Sequence, residues 1–526
     1  MEDELIEQLI DHLPPAKSYG EAYNKLVKAF RECDVDTLSQ FLKIGLNPNV
    51  TLFDGHSPLT LLISSSTSSR WQDTARLLLE HGACPNKRNP KGTPALSLLV
   101  AAGEPDLVSL ILDKGADIEA KGPSGETALI TAVHYKQVPC LKLLLKRGAK
   151  PNVRSNDGNS AIMWAAGRSN GIGSPKCLTA IKTLLEYGAD PSVANDRGYT
   201  PLMAASLIRE AEAVRALTGA GAQLESRDCR GETALFKSVY SNCLESVKIL
   251  VDAGADVNAC CNLKRTPLMV VNTYSILDTL LQHDSDVNAK DINGFTALHH
   301  YAVANLPQFL RLLIIHGANI ESVDVLGNVP LQVAVRARSW TSIELLLAKG
   351  SRASAKSSAN VTLFHEIIVP FDFFQTMDIF PMVNTPSLLH EIQNYLAPSS
   401  EVTIELVTTL IAEGGLCDVA TCDGVTPLML AALCRDLELC RVLLQAGANP
   451  FSVDSHGRSV LAYACRGGEL SIVRLLTKRD CRVNCVDDDG NLPILYAAQF
   501  SNIDIVLFLI IDFAFYMKYT VYKEKV

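Results

Sequence analysis

Residues 285–299 read Ser285-Asp286-Val287-Asn288-Ala289-Lys290-Asp291-Ile292-Asn293-Gly294-Phe295-Thr296-Ala297-Leu298-His299. The first nine are rich in Asp, Asn and Lys and read as a hairpin-like loop. Gly294 closes that loop, and Thr296-Ala297-Leu298 opens a short helix. The same order returns in both directions. Its G-x-[TS]-[PA]-L pattern, with some decay, sets a register at Gly55, Gly92, Gly125, Gly158, Gly198, Gly231, Lys264, Gly294, Gly327, Asn360, Gly424, Gly457 and Gly490. Successive spacings are 37, 33, 33, 40, 33, 33, 30, 33, 33, 64, 33 and 33, so eight of twelve equal 33 and the chain is an array of repeats.

Two further features travel with the register. Four residues after it every repeat carries an apolar residue, Leu59 in the first and Ile494 in the last, as a buried helix position requires. Ten residues before it stands Gly, or Asp at 284 and 480, after an apolar helical run such as Leu143-Leu144-Leu145. That residue reads as the left-handed stop of a helix. Pro58, Pro201, Pro267, Pro330, Pro427 and Pro493 fall in the first helical turn, where a missing N–H costs nothing. Each repeat is therefore predicted as a turn, a short helix, a second turn, a longer helix and a stop.

These residues resemble the ankyrin repeat family. Gly294-Phe295-Thr296-Ala297-Leu298-His299 is near its consensus, as is Ile249-Leu250-Val251 followed by Ala253-Gly254-Ala255-Asp256-Val257-Asn258-Ala259. The resemblance covers about residues 24–511 and implies an all-α solenoid of about 13–14 helix-turn-helix units with hairpin-like loops. A degenerate unit before Gly45, with Leu38 to Leu42 in its second helix, looks like an N-terminal cap. The family's His after the buried Leu survives as His299 and His365, which predicts weaker hydrogen bonding in the other turns.

The expected organisation is an acidic amphipathic segment at 1–20, repeats over 21–368, an insertion at 369–400 between the helices of one repeat, repeats over 401–511, and a hydrophobic tail at 512–526. Smaller insertions are expected in 64–70 and 168–176. The long insertion, with Pro370, Pro381, Pro386 and Pro398 around aromatic residues, is expected to dock and to interrupt the stack; the alternative is a partner-binding lid.

The 526 residues hold 48 Lys plus Arg against 57 Asp plus Glu, a net charge of −9, with 48% apolar residues. That excludes a disordered polyelectrolyte and argues against a nucleic-acid partner. Fifteen dispersed Cys, an odd number, fit a reducing compartment, so the expected location is cytoplasmic and also nuclear. No stretch suits a membrane span, because Ile503 to Met517 is broken by Asp504 and Asp512.

No phosphate loop or nucleophile elbow occurs. His365-Glu366 and His390-Glu391 lack the second His of a zinc site, and Asp487-Asp488-Asp489-Gly490 lacks the Glu of a calcium loop. No catalytic, cofactor or metal site is therefore expected. The resemblance implies a non-enzymatic scaffold or adaptor that binds proteins through a concave face and turn tips; the alternative is a substrate-recognition or targeting subunit of an enzyme complex such as a ubiquitin ligase. Candidate partner-binding residues are Arg168, Tyr199, Leu207, Ile208, Arg230 and Tyr240, aromatic and apolar positions beside Arg. Asn258 and Asn288, each with Leu eight residues before and Asp two before, are the asparagines that the resemblance marks for hydroxylation. The apolar residues from Val506 to Tyr516 cannot all face one neighbour, which predicts either an abnormal or truncated terminus or self-association through the tail.

Overall fold

The computed structural model describes residues 35–45, 47–49, 56–64, 70–168, 175–368 and 401–511. The segments 1–20, 369–400 and 512–526 lie outside the described residues. The chain divides into two compact parts, Met1–Asn262 with Val270–Asp284, and Leu263–Met269 with Ser285–Val526. Each part is a stack of helix pairs, and among the described residues no strand forms.

The repeat opened by Gly294 shows how sequence makes the unit. Thr296 has an extended backbone and starts the helix Ala297–Val303, where the Nδ1 atom of His299 accepts from the Thr296 amide at 3.1 Å. Proline starts the second helix, Pro307–Ile315, at the position where its missing N–H is harmless. Gly317, at φ 85°, then ends it. The stop needs a left-handed residue so that Ala318 N–H can reach back to the Leu313 carbonyl at 3.0 Å. Asp284, Asp480, Lys264 and Asn360 adopt the same conformation in their repeats, at φ 56°, 63°, 55° and 58°.

Of the thirteen positions predicted to be buried four residues after the register, twelve are buried and Ile494 is half-buried. Full burial of a Leu contributes about 1.5–3 kcal/mol. These residues form the seam between successive first helices and account for the spacing of the stack.

Four features depart from expectation. The repeat of Lys264, three residues short, keeps only a 3-10 turn, Pro267–Met269, in place of its first helix. Some turns without the family His are capped instead by the hydroxyls of Thr200, Thr233, Thr426 and Ser459, as where Thr200 accepts from Met203 N–H at 3.3 Å, so these lose less hydrogen bonding than predicted. The helices after Pro94, Thr127, Ser160 and Leu492, by contrast, have no side-chain cap. The insertion near 168–176 is preceded by a π-helical turn, Trp164–Arg168. The long insertion leaves between Leu363–Ile368 and Glu401–Ala412 and does not interrupt the stack. Cys422 N–H donates to the Ala359 carbonyl at 3.1 Å, and His365 Nε2 lies 3.0 Å from the Val425 carbonyl, joining the repeats on either side. The insertion departs from the helix ends, while the stacking bonds lie along the loops.

The last described helix, over 503–511, exposes Ile503, Leu507, Ile510 and Ile511, and Leu495 before it is 50% exposed. In the preceding repeats the position of Leu495 is buried by the next repeat, as at His299 and Met429.

Candidate functional site

Successive loops are tied to one another. Asn262 N–H donates to the Arg230 carbonyl at 2.9 Å in the N-terminal part, and Val325 N–H to the Asn293 carbonyl at 3.0 Å in the C-terminal part. This approach requires glycine at the register: a Cβ on Gly294 would lie 2.8 Å from the Val325 amide nitrogen, and its φ is 76°. The candidate hydroxylation sites serve the same stacking. Asn258 Nδ2 donates to the Asp284 carbonyl at 3.1 Å. Asn288 Nδ2 donates to the Gly317 carbonyl at 3.2 Å, while its Oδ1 accepts from Asn319 N–H at 2.8 Å. Asn86 and Asn152 bridge in the same way, so the amide is a structural clasp in each case.

The predicted partner-binding residues separate into two groups. Leu207, Ile208 and Tyr240 stand at the C-terminal ends of first helices, at equivalent places in neighbouring repeats, with Leu207 40% and Tyr240 66% exposed and Ile208 half-buried. Arg168 ends the π-helical turn at the corresponding place in its repeat, and its side chain lies outside the described residues. Tyr199 and Arg230 belong to the loop end of the helices. Arg230 is exposed, and its backbone is held by Asp228 and Asn262. Tyr199 is half-buried, with Lys237 Nζ 5.7 Å from its ring centre and its hydroxyl donating to the Met203 carbonyl at 3.4 Å. It roofs a buried charge cluster.

The residue that sequence reasoning missed is Tyr135. It caps the helix Ala128–His134 at the register position of Ile208 and is 54% exposed. No Arg flanks it, so a search for aromatics beside Arg passes over it, although counting ten residues from Gly125 finds it. The row is broken at Gly167, where a Cβ would meet that of Ala204 at 2.8 Å.

Beneath the loops lies a repeated polar motif. Lys237, 6% exposed, bonds to Asp228 Oδ2 at 2.7 Å and also to Glu232. Burial pulls the ammonium pKa down, but the two carboxylates outweigh it and hold the pKa above its ordinary value. Burial likewise raises the Asp228 carboxyl, and the Lys237 bond with the loop amides brings it below its ordinary value. Both groups are therefore charged and mutually committed. Glu366 is fully satisfied by Arg336, at 2.7 and 3.0 Å, and His365 is engaged at both ring nitrogens. Asp487 spends its oxygens on the amides of Asp489 and Asn491 and on the Tyr496 hydroxyl. Burial raises the thiols of Cys140 and Cys481 to about 11 and those of Cys434 and Cys465 to about 12, which keeps them protonated. Among the described residues no group of three or more His, Cys, Asp or Glu is placed to hold a metal ion, and no helix is long and apolar enough to cross a membrane.

The model of the family described as "Ankyrin repeats (3 copies)" matches residues 96–192, 172–261, 262–357 and 446–518, and the single ankyrin repeat model matches 423–455. The chain is an ankyrin-repeat protein. It is 34% identical over 145 residues to the B-cell lymphoma 3 protein homolog of Mus musculus, covering 27% of this chain and 32% of that one. It is 39% identical over 106 residues to the putative E3 ubiquitin-protein ligase XBAT34 of Arabidopsis thaliana, covering 19% and 28%. The chain thus spans about a third or less of the curated relatives it matches. The crystal structure of the ankyrin repeat domain of Bcl-3 matches with 26% identity and a TM-score of 0.38, over 44% of this chain and 99% of that one. Ankyrin repeats are protein-interaction modules, and that coarse function is the function of this fold here.

Proposed function

We propose that this ankyrin protein is a non-enzymatic adaptor that captures a protein partner through the first-helix ends of its N-terminal part, with Tyr135, Leu207, Ile208 and Tyr240 as anchors. The exposure of Tyr240, 66%, carries the proposal, because a large aromatic left in water at a regular register position has no stabilising role within the stack. Its test is capture of cellular proteins by a photo-crosslinker at position 209, exposed beside Ile208, compared between the parent and a Tyr135→Ala, Tyr240→Ala variant that carries the same crosslinker. Loss of capture by at least tenfold (about 1.4 kcal/mol) with an unchanged melting temperature is expected; undiminished capture by a folded variant removes the proposal.

The ubiquitin-ligase reading is favoured by similarity to a relative named as an E3 ligase, and recovery of a ubiquitin-transfer component by the same crosslinker would support it. We place the protein in a reducing compartment, cytoplasmic and nuclear, because its described cysteines are free thiols. Hydroxylation of Asn258 and Asn288 is proposed to act on loops that are unstacked, since the folded amides are engaged. Self-association at the C-terminal end is proposed from the exposed row Ile503, Leu507 and Ile511.

A further inference from the structure

The loop tips of the C-terminal part carry a second, independent surface. Leu263, Ile292 and Val325 are 46%, 50% and 68% exposed, and Val323 beside them is 44% exposed. They sit on three successive loops locked in line by backbone bonds, Ile292 N–H to the Leu263 carbonyl at 3.1 Å and Val325 N–H to the Asn293 carbonyl at 3.0 Å. The places of Ile292 and Val325, two residues before the register, are held in other repeats by Asn156, Asp196, Asn262, Ser358, Ser455 and Asp488. Phe53, Pro90, Pro123, Cys229 and Cys422 stand there in the remaining repeats, so these two loops are set apart by exposed branched aliphatic side chains on consecutive tips.

The charges around the strip are sorted by sign. Asp291 and Asp324 are 5% and 7% exposed and turn inward, each accepting from two amides of its own loop. Glu321 is spent on Ser351 and Arg352. Lys264 and Lys290 are exposed, and Lys290 Nζ donates to a neutral acceptor, the Val323 carbonyl, at 2.6 Å. The strip therefore presents apolar side chains bordered by cations. Packed helices are spaced about 8–10 Å apart, and three residues of extended chain span about 10 Å.

We propose that Leu263, Ile292 and Val325, bordered by Lys264 and Lys290, bind an extended acidic segment of a partner protein with an apolar residue at every third position. A lipid surface could also meet apolar and cationic groups, but the net charge of −9 opposes approach to an anionic bilayer, and the linear alignment of the strip fits a chain.

The test uses the full chain and a fluorescein-labelled peptide, Glu-Leu-Glu-Glu-Leu-Glu-Glu-Leu-Glu, followed by fluorescence anisotropy. Saturable binding is expected, weakened at least tenfold by Ile292→Ser with Val325→Ser, at least threefold by Lys290→Glu, and at least tenfold when lysine replaces glutamate in the peptide. Should the double variant melt early, Val325→Ser alone carries the comparison. Absence of saturable binding, or an affinity that folded variants leave unchanged, overturns the proposal. So does co-sedimentation with phosphatidylserine-containing vesicles in place of peptide binding. Because the adaptor surface proposed above lies on other residues, neither result bears on the other.

Discussion

Tyr463 donates its hydroxyl to Asp454 Oδ2 at 2.8 Å, nine residues upstream. The other Asp454 oxygen accepts from the amides of His456 and Arg458, at 3.0 and 2.8 Å. The same geometry joins Asp228 to Lys237, Asp291 to His300, and Asp487 to Tyr496. One carboxylate shapes the loop tip while fixing the first helix behind it. The acid is tied down by its own repeat, and the tip is left free to present other side chains.

Replacing Lys237 by Met should destabilise the protein by about 3–5 kcal/mol, because the buried Asp228 carboxylate and the half-buried Glu232 would be left without their cation. Adding Asp228→Asn and Glu232→Gln should recover part of that loss. Urea unfolding of the variants measures it, and a single variant as stable as the parent would contradict the ion-pair assignment.

His299 and His365 are fully buried, and burial lowers both pKa values to about 4 from an ordinary 6.5. The unfolded chain therefore binds more protons than the folded one between those values. Stability should fall as pH drops from 6.5 toward 4, by about 1.4 kcal/mol per pH unit for each histidine. In a His299→Gln, His365→Gln variant the slope over that window should be shallower than in the parent. Equal slopes would show that these rings do not control acid sensitivity.

Arg338 holds φ 54° at the turn between two helices, where Gly103 and Gly468 stand in other repeats. A left-handed L-residue costs about 1–2 kcal/mol, partly offset by the lower unfolded-state entropy of a non-glycine residue. Arg338→Gly should therefore stabilise by about 0.5–1 kcal/mol, as read from the urea midpoint. A loss of stability would mean that the side chain holds the turn by some contact.

Leu507 occupies the place of Arg441 and Arg474, both exposed, in earlier repeats. Ile511, 66% exposed, occupies that of Lys478. Light scattering should give the parent a mass above the 57.0 kDa monomer, moving toward it in Leu507→Arg with Ile511→Lys. A monomeric parent ends the self-association proposal.

The sequence by itself determined the repeat, its buried seam and most of its breaks, because Gly, Pro and Leu are demanded by local conformation and by burial at a period of 33. Gly294 and Leu298 could be read without a neighbour. The third left-handed position could not in most repeats: Gly103 and Gly468 mark it in two, but elsewhere it is filled by Lys136, Arg209, Asn242, Asn305, Arg338, Arg435 and Ser501, which carry no glycine signal. Tertiary structure imposes it: Asn242 N–H must turn back to the Val239 carbonyl, and Cys243 N–H to that of Ser238, before the next helix can start. Packing likewise decided that Tyr199 roofs Lys237 while Tyr135 and Tyr240 stand in water. Exposure depends on what the adjacent repeat presents 33 residues away, and no local pattern around a tyrosine records it.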